Sequence, residues 1–169
     1  MGVRAQSDHV TITSAPSALH RAESDLPMVT IGDGIGLQLL QVDLGGGVWV
    51  VRNVFEAGTT LPTHKHTGHV YAFTTRGRWH YLESPDAVNV AGSYLYEPAG
   101  SIHTLHVPSD ERAPTDVRFV IHGANLNLNV EGDVESVLDA HTVLTYYRHL
   151  CAREHGIDDP AVIILGGDL

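Results

Sequence analysis

Short runs of alternating apolar and polar residues, separated by glycine-rich turns, fill most of this chain. Residues 37–44 and 48–55 read as strands joined by Gly45-Gly46-Gly47. Further strand-like runs cover 79–83, 92–97, 103–107 and 117–122, and residues 126–130 alternate as a half-buried strand should. Gly32-Asp33-Gly34-Ile35-Gly36 lacks the G-x-G-x-x-G spacing of a phosphate loop and precedes no helical pattern, so it reads as a hairpin turn. Short strands spaced by glycine turns predict an all-β barrel or sandwich with closed edges.

The period changes only near the C-terminus. Over residues 142–155, Val143, Leu144, Tyr147, Leu150 and Cys151 fall on one helical face, with Thr142 as the expected N-cap and Gly156 as the stop. Tyr146 and Tyr147 are expected to pack this helix on the barrel. Residues 157–169 carry no assignable pattern. Residues 1–25 are polar and mixed, and read as an arm with one short strand at 10–13, available for dimer contacts. Residues 26–169 then form a single domain, and a homodimer or homotetramer is expected.

Composition narrows the partners. The chain has 169 residues, 43% of them apolar, enough for one domain with a core that needs no staples. Its lone cysteine, Cys151, cannot form an internal disulfide, and no basic start with an apolar run follows Met1, so the cytoplasm is the expected compartment. No run reaches membrane-spanning length. A net charge of −10 disfavours nucleic acid and anionic membranes, leaving a small molecule or another protein.

Twelve histidines stand out, but their positions matter more than their number. His64 and His66 are two apart, so in a strand both imidazoles project from the same face and supply half of a transition-metal site. A third, His103, follows the turn Pro98-Ala99-Gly100. Three converging imidazoles suit Fe(II), Ni, Cu, Mn or Zn, and ligand type does not choose among them. In the same inward register lie Ala72, Trp79, Tyr81 and Leu105, the candidate substrate walls. For Trp79 and Tyr81, simple core filling is an equal alternative. Alternation turns His69 and His106 outward, and His80 and His122 also fall in strands. His9, His20, His149 and His155 read as solvated.

Two stretches resemble the paired motifs of the cupin superfamily. Gly58, His64, His66 and Gly77 match G-x5-H-x-H-x3,4-E-x6-G, and Gly92, Pro98, Gly100 and His103 match G-x5-P-x-G-x2-H-x3-N. Val70 stands at the glutamate position and Val107 at the asparagine. The resemblance implies a jelly-roll barrel with the C-terminal helix outside it. Residues 74–83 with 96–106 are further similar to a narrower, ChrR-like cupin family, that of 2,4′-dihydroxyacetophenone dioxygenase and the acetylacetone-cleaving dioxygenase. That likeness implies Fe(II) held by His64, His66 and His103. It also implies O2 cleavage of a C–C bond next to a carbonyl, and Glu97 beside the ligands, orienting one of them or a substrate hydroxyl. Two alternatives stand: another metal-dependent cupin enzyme, an isomerase or quercetinase-like, and a non-catalytic sensor of the anti-sigma type. Sensors of that type carry a zinc-binding helical domain ahead of the barrel, whereas some 30 cysteine-free residues, the arm included, precede the first strand of the barrel here.

The missing carboxylate has one further candidate. If Arg76-Gly77 is a two-residue hairpin turn, Thr75 pairs with Arg78, Phe73 with His80 and Val70 with Glu83. Glu83 then enters the barrel beside Val70, as a fourth ligand or as a partner of metal-bound water. The alternative is an exposed glutamate at a strand end, which a single bulge would produce.

Overall fold

The computed structural model of the chain describes residues 17–166. The strands run β1 (Val29–Gly32), β2 (Ile35–Asp43), β3 (Val48–Phe55), β4 (His64–His66), β5 (Val70–Arg76), β6 (Arg78–Tyr81) and β7 (Ser84–Val90). They continue as β8 (Tyr94–Glu97), β9 (Ile102–His103), β10 (Leu105–His106), β11 (Thr115–His122), β12 (Asn125–Leu128) and β13 (Val134–Leu138). Helix α1 (Ala140–His155) and the short β14 (Ile163–Leu165) complete the order.

These strands form three sheets. The largest has the order β1-β2-β3-β11-β5-β8, with β14 added in parallel against β2; the others are β10-β6-β7 and β13-β12-β4-β9. Their hydrogen-bonded ladders do not run round into one closed barrel, so the expectation of closed edges is corrected: β8 and β1 end the large sheet. The expected strand at residues 10–13 lies outside the described residues. Strands β7, β13 and β14 escaped the sequence reading because their side chains are mostly exposed and show no buried alternation.

Turn chemistry sets the registers. Gly34, at φ 72°, closes the β1–β2 hairpin where Gly32 pairs with Ile35. Gly77, also at φ 72°, is not a hairpin turn, which corrects the expected pairing of Thr75 with Arg78 and of Val70 with Glu83. Arg76 pairs with Asp116 on β11 and Arg78 with Val90 on β7, so the chain turns a corner at Gly77 and passes from one sheet to another. A Cβ there would lie 2.7 Å from Thr115 Cα, so the crossing needs glycine for space as well as for φ. The two-residue turn is instead Leu82-Glu83, between Tyr81 and Ser84.

The core fills the space between the sheets. Leu39, Trp49, Val51, Phe55, Val70 and Trp79 are among its fully enclosed side chains, and the two indole N–H groups donate to Gly123 O and Thr74 Oγ1. On the opposite face of the large sheet, Arg52 makes a bidentate pair with Asp116 and reaches Gln38 Oε1. Glu23, near the end of the polar N-terminal stretch, ties that stretch down by a 2.7 Å ion pair with Arg52.

Helix α1 begins earlier than the sequence pattern indicates. Asp139, not Thr142, is the N-cap: its carboxylate accepts from the Thr142 N–H while the Thr142 hydroxyl accepts from the Asp139 N–H. Gly156 ends the helix in the left-handed conformation, as expected. The buried face comprises Ala140 with all five expected residues, Val143, Leu144, Tyr147, Leu150 and Cys151. Among the described residues no helix is long and apolar enough to cross a membrane.

Candidate metal centre

Strand β4 places His64 and His66 on its buried face with Lys65 turned out, as period-two alternation requires. Its neighbour β9 brings His103 directly opposite His64. The three rings are buried, with one nitrogen from each within 4.8 Å of the others. Neighbouring centroids lie 4.8–5.0 Å apart. The turn that delivers His103 is tied back to this strand, since Gly100 N–H donates to His66 O and His66 N–H to Ser101 O.

A carboxylate completes the cluster from another sheet. Glu97, the last residue of β8, pairs with Val70 on β5, and its Oε2 lies 2.9 Å from His66 Nε2 and 3.2 Å from His103 Nε2. Its other oxygen accepts a short 2.5 Å hydrogen bond from the Tyr81 hydroxyl. The Tyr81 ring lies stacked on His103, with centroids 3.9 Å apart and planes 15° from parallel. Burial and the adjacent Glu97 raise the Tyr81 phenol far above its ordinary pKa, so it stays a donor.

Protonation follows from the partners. His64 Nδ1 faces the Pro62 carbonyl at 2.9 Å, and a carbonyl only accepts, so this nitrogen carries the proton and Nε2 is left as a bare lone pair. Burial pushes the His64 pKa down to about 4; the Pro62 bond opposes the drop, while His66 and His103 add to it. Burial works against ionisation of Glu97, but the close approach of the His103 and His66 Nε2 groups outweighs it and holds the carboxyl well below the usual range.

The residues fit a bound cation. Donors about 2.1 Å from a metal and at right angles to one another lie about 3 Å apart. His66 Nε2, His103 Nε2 and Glu97 Oε2 form a triangle with edges of 2.9, 3.1 and 3.2 Å. Glu97 Oε2 is enclosed and has no hydrogen bond of good geometry. Lone pairs crowded this closely need protons or a cation between them.

The structure does not bring every predicted residue to this centre. Glu83 sits exposed in the β6–β7 turn, where its carboxylate accepts from the Thr104 N–H and hydroxyl, both at 2.9 Å. It therefore braces the residue after His103 from outside and is not part of the three-histidine group. Partial burial opposes ionisation there, but the two Thr104 bonds and the nearby His103 hold the Glu83 pKa below its ordinary value. Tyr81 and Leu105 line the adjoining cavity, whereas Ala72 and Trp79 are buried in the core behind it.

That cavity measures about 370 Å³. Its walls are mostly apolar, with Trp49, Val51, Phe55, Phe119 and Ile121 from the large sheet facing Leu138 of β13. Apart from His64, His66, Tyr81 and Glu97 of the centre, Asn53, Asn125, Asn127 and Ser136 supply its polar groups, and Tyr146 of the helix also lines it. Of the two tyrosines expected to pack the helix, only Tyr147 is enclosed, its hydroxyl donating to Pro27 O, while Tyr146 is exposed. The alternation of residues 125–128 marked the asparagines as one face of a strand; nothing in the sequence aligned that strand with β4.

Packed β-sheets with three convergent imidazoles between their strands define the protein as a cupin. Residues 17–124 match the ChrR cupin-like domain, and the chain belongs to that family. A protein of unknown function with a cupin-like fold from Ralstonia eutropha is 31% identical, with 94% of this chain and 97% of that one covered at a TM-score of 0.80. An RmlC-like cupin from the same organism is 26% identical, covering 86% of this chain and 93% of that one, with a TM-score of 0.77. An acetylacetone dioxygenase from Acinetobacter johnsonii shares the fold at 18% identity and TM-score 0.69, over 81% of this chain and 94% of its own. None of the curated proteins matches the chain.

Proposed function

We propose that the protein is a non-haem Fe(II)-dependent dioxygenase that uses O2 to cleave a C–C bond next to a carbonyl, in a 1,3-diketone or an aryl 2-hydroxyketone. The observation that carries this reading is the buried three-histidine group opening onto an apolar cavity of about 370 Å³. The shared fold of the acetylacetone dioxygenase supports it.

His64, His66 and His103 would hold the metal, with Glu97 beside two of them. Bound there, Fe(II) supplies a Lewis acid for a chelating enolate and a site for O2. The residues do the rest. Neutral imidazoles and the single Glu97 carboxylate would cancel only part of the cation's charge, which favours a substrate that binds as an anion through two oxygens. The apolar walls exclude water and hold the rest of the substrate, which lowers the entropic part of the barrier. Glu97 Oε2, enclosed and without a good hydrogen bond of its own, is placed to accept one from a substrate hydroxyl, while Tyr81 fixes the other oxygen. Cleavage of a 1,3-diketone then balances with O2 as sole oxidant, both oxygen atoms ending in a carboxylic acid and a 1,2-dicarbonyl product.

The test is O2 uptake by iron-loaded protein with a 1,3-diketone and, separately, with an aryl 2-hydroxyketone. Uptake matched by two carbonyl-derived products supports the reading, and absence of uptake with both classes removes it. The family match favours one alternative, a metal-binding sensor without turnover. That alternative predicts metal binding with no O2 consumption.

A further inference from the structure

Besides Glu97 Oε2, two polar atoms near the metal centre are left over on residues that face each other. His66 Nδ1 and Asn125 Oδ1 are both enclosed, and neither has a hydrogen-bond partner. The antiparallel ladder between β4 and β12 pairs Asn125 with His66 and Asn127 with His64. Directly opposed residues share one face of a sheet with Cβ atoms about 5 Å apart, and here all four line the cavity. The neighbouring rung provides the contrast. There His64 Nδ1 donates to Pro62 O at 2.9 Å, and the Asn127 amide donates to Ser136 Oγ at 2.9 Å.

The two unpartnered atoms are complementary. His66 turns Nε2 towards the centre, 3.1 Å from His103 Nε2. If that nitrogen is a metal ligand, the neutral ring carries its proton on Nδ1 and becomes a buried donor. Asn125 Oδ1 can only accept. Leaving either unpaired costs about 1–3 kcal/mol, and an asparagine amide swings on a soft terminal torsion.

We propose that Asn125 is the positioning residue for His66, its amide oxygen accepting the Nδ1–H when Nε2 holds the metal. A hydrogen bond of this kind sets the tautomer and ring orientation and makes the ligating nitrogen more basic. Two rungs of one ladder then orient two ligands by different means: His64 through the Pro62 carbonyl, His66 through a side chain on the opposite strand. Asn125 lies one residue beyond the stretch that matches the family, 17–124. The inference rests on the metal-centre reading.

The experiment is a chelator-competition titration with Zn(II) alone on the full chain, comparing wild type, Asn125→Ala, Asn125→Asp and His64→Ala. It is paired with NMR of histidine ring protons in the Zn(II)-loaded, ¹⁵N-histidine-labelled protein. Asn125→Ala is expected to bind Zn(II) about 10- to 100-fold more weakly and to lose the slowly exchanging His66 Nδ1–H signal. Asn125→Asp retains an acceptor and is expected to keep that signal and recover the affinity. Unchanged affinity with the His66 proton still protected in Asn125→Ala overturns the inference and leaves the metal centre standing. A wild type that binds Zn(II) no better than His64→Ala overturns both. Should Asn125→Ala fail to fold, the wild-type spectrum decides: a cross-peak between the His66 ring proton and the Asn125 amide supports the bond, and its absence overturns it.

Discussion

Glu97 lies directly across the β5–β8 ladder from Val70, the residue that occupies the glutamate position of the first histidine motif. Paired residues on one face share the same space, so the carboxylate missing from β5 is supplied by its neighbour. The two positions should therefore be exchangeable. Glu97→Gln is expected to weaken Zn(II) or Fe(II) binding about tenfold or more, and Val70→Glu combined with Glu97→Val to recover most of the loss. Competition titration reads both. A double variant no better than Glu97→Gln would show that the two positions are not equivalent.

Metal content tests the histidines directly. Purified protein is expected to carry about one metal ion per chain, and His64→Ala, His66→Ala and His103→Ala each to empty the site. Affinity should fall as the pH drops, because protons compete with the metal for imidazole nitrogens. Elemental analysis after dialysis gives the occupancy, and full metal in all three variants would refute the assignment.

How much of this was legible in advance depends on how local each feature is. His64 and His66 are two apart on one strand, so alternation alone puts them on one face, and the Pro98-Ala99-Gly100 turn announces His103. The helix face over 143–151 was readable for the same reason. Pairing between strands was not. With Gly77 as a hairpin turn the residue opposite Val70 would be Glu83, whereas the observed register puts Glu97 of β8 there. Gly77 takes a positive φ in either case; the pairings on either side of it, Arg76 with Asp116 and Arg78 with Val90, show that the chain crosses between sheets. Asn125 and Asn127 were hidden likewise, since their alternation says nothing of the partner strand.

The depressed pKa of His64 makes a prediction about acid stability. In the unfolded chain this histidine takes up a proton near its ordinary value of about 6.5, but in the fold burial delays uptake to about pH 4. Between those values the unfolded state binds more protons, so stability falls as pH falls through this window and is complete above it. The shift corresponds to about 3 kcal/mol at full development. Urea denaturation of metal-free protein at pH 7 and pH 4.5 should show the loss, and His64→Gln should show a smaller one. Equal losses in both proteins would assign the effect to other groups.

Gly77 provides the last prediction, because it separates a corner from a turn. At φ 72° the residue occupies a region that side chains rarely adopt, and a Cβ would lie 2.4 Å from Thr115 Oγ1 and 2.7 Å from Thr115 Cα. In a hairpin turn, a φ-tolerant asparagine is an accepted replacement. At this corner it is not, because the obstacle includes β11 backbone that is hydrogen-bonded to both β3 and β5. Gly77→Ala and Gly77→Asn are therefore expected to destabilise the protein comparably, by about 2–3 kcal/mol from backbone strain and overpacking together. The damage should reach the metal site, since the same chain segment leads through β6 to Tyr81, which stacks on His103 and bonds Glu97. Thermal melts with and without Zn(II) measure both effects. If Gly77→Asn is as stable as wild type, the crossing is not limited by space and the corner is not the constraint inferred from the contact with Thr115.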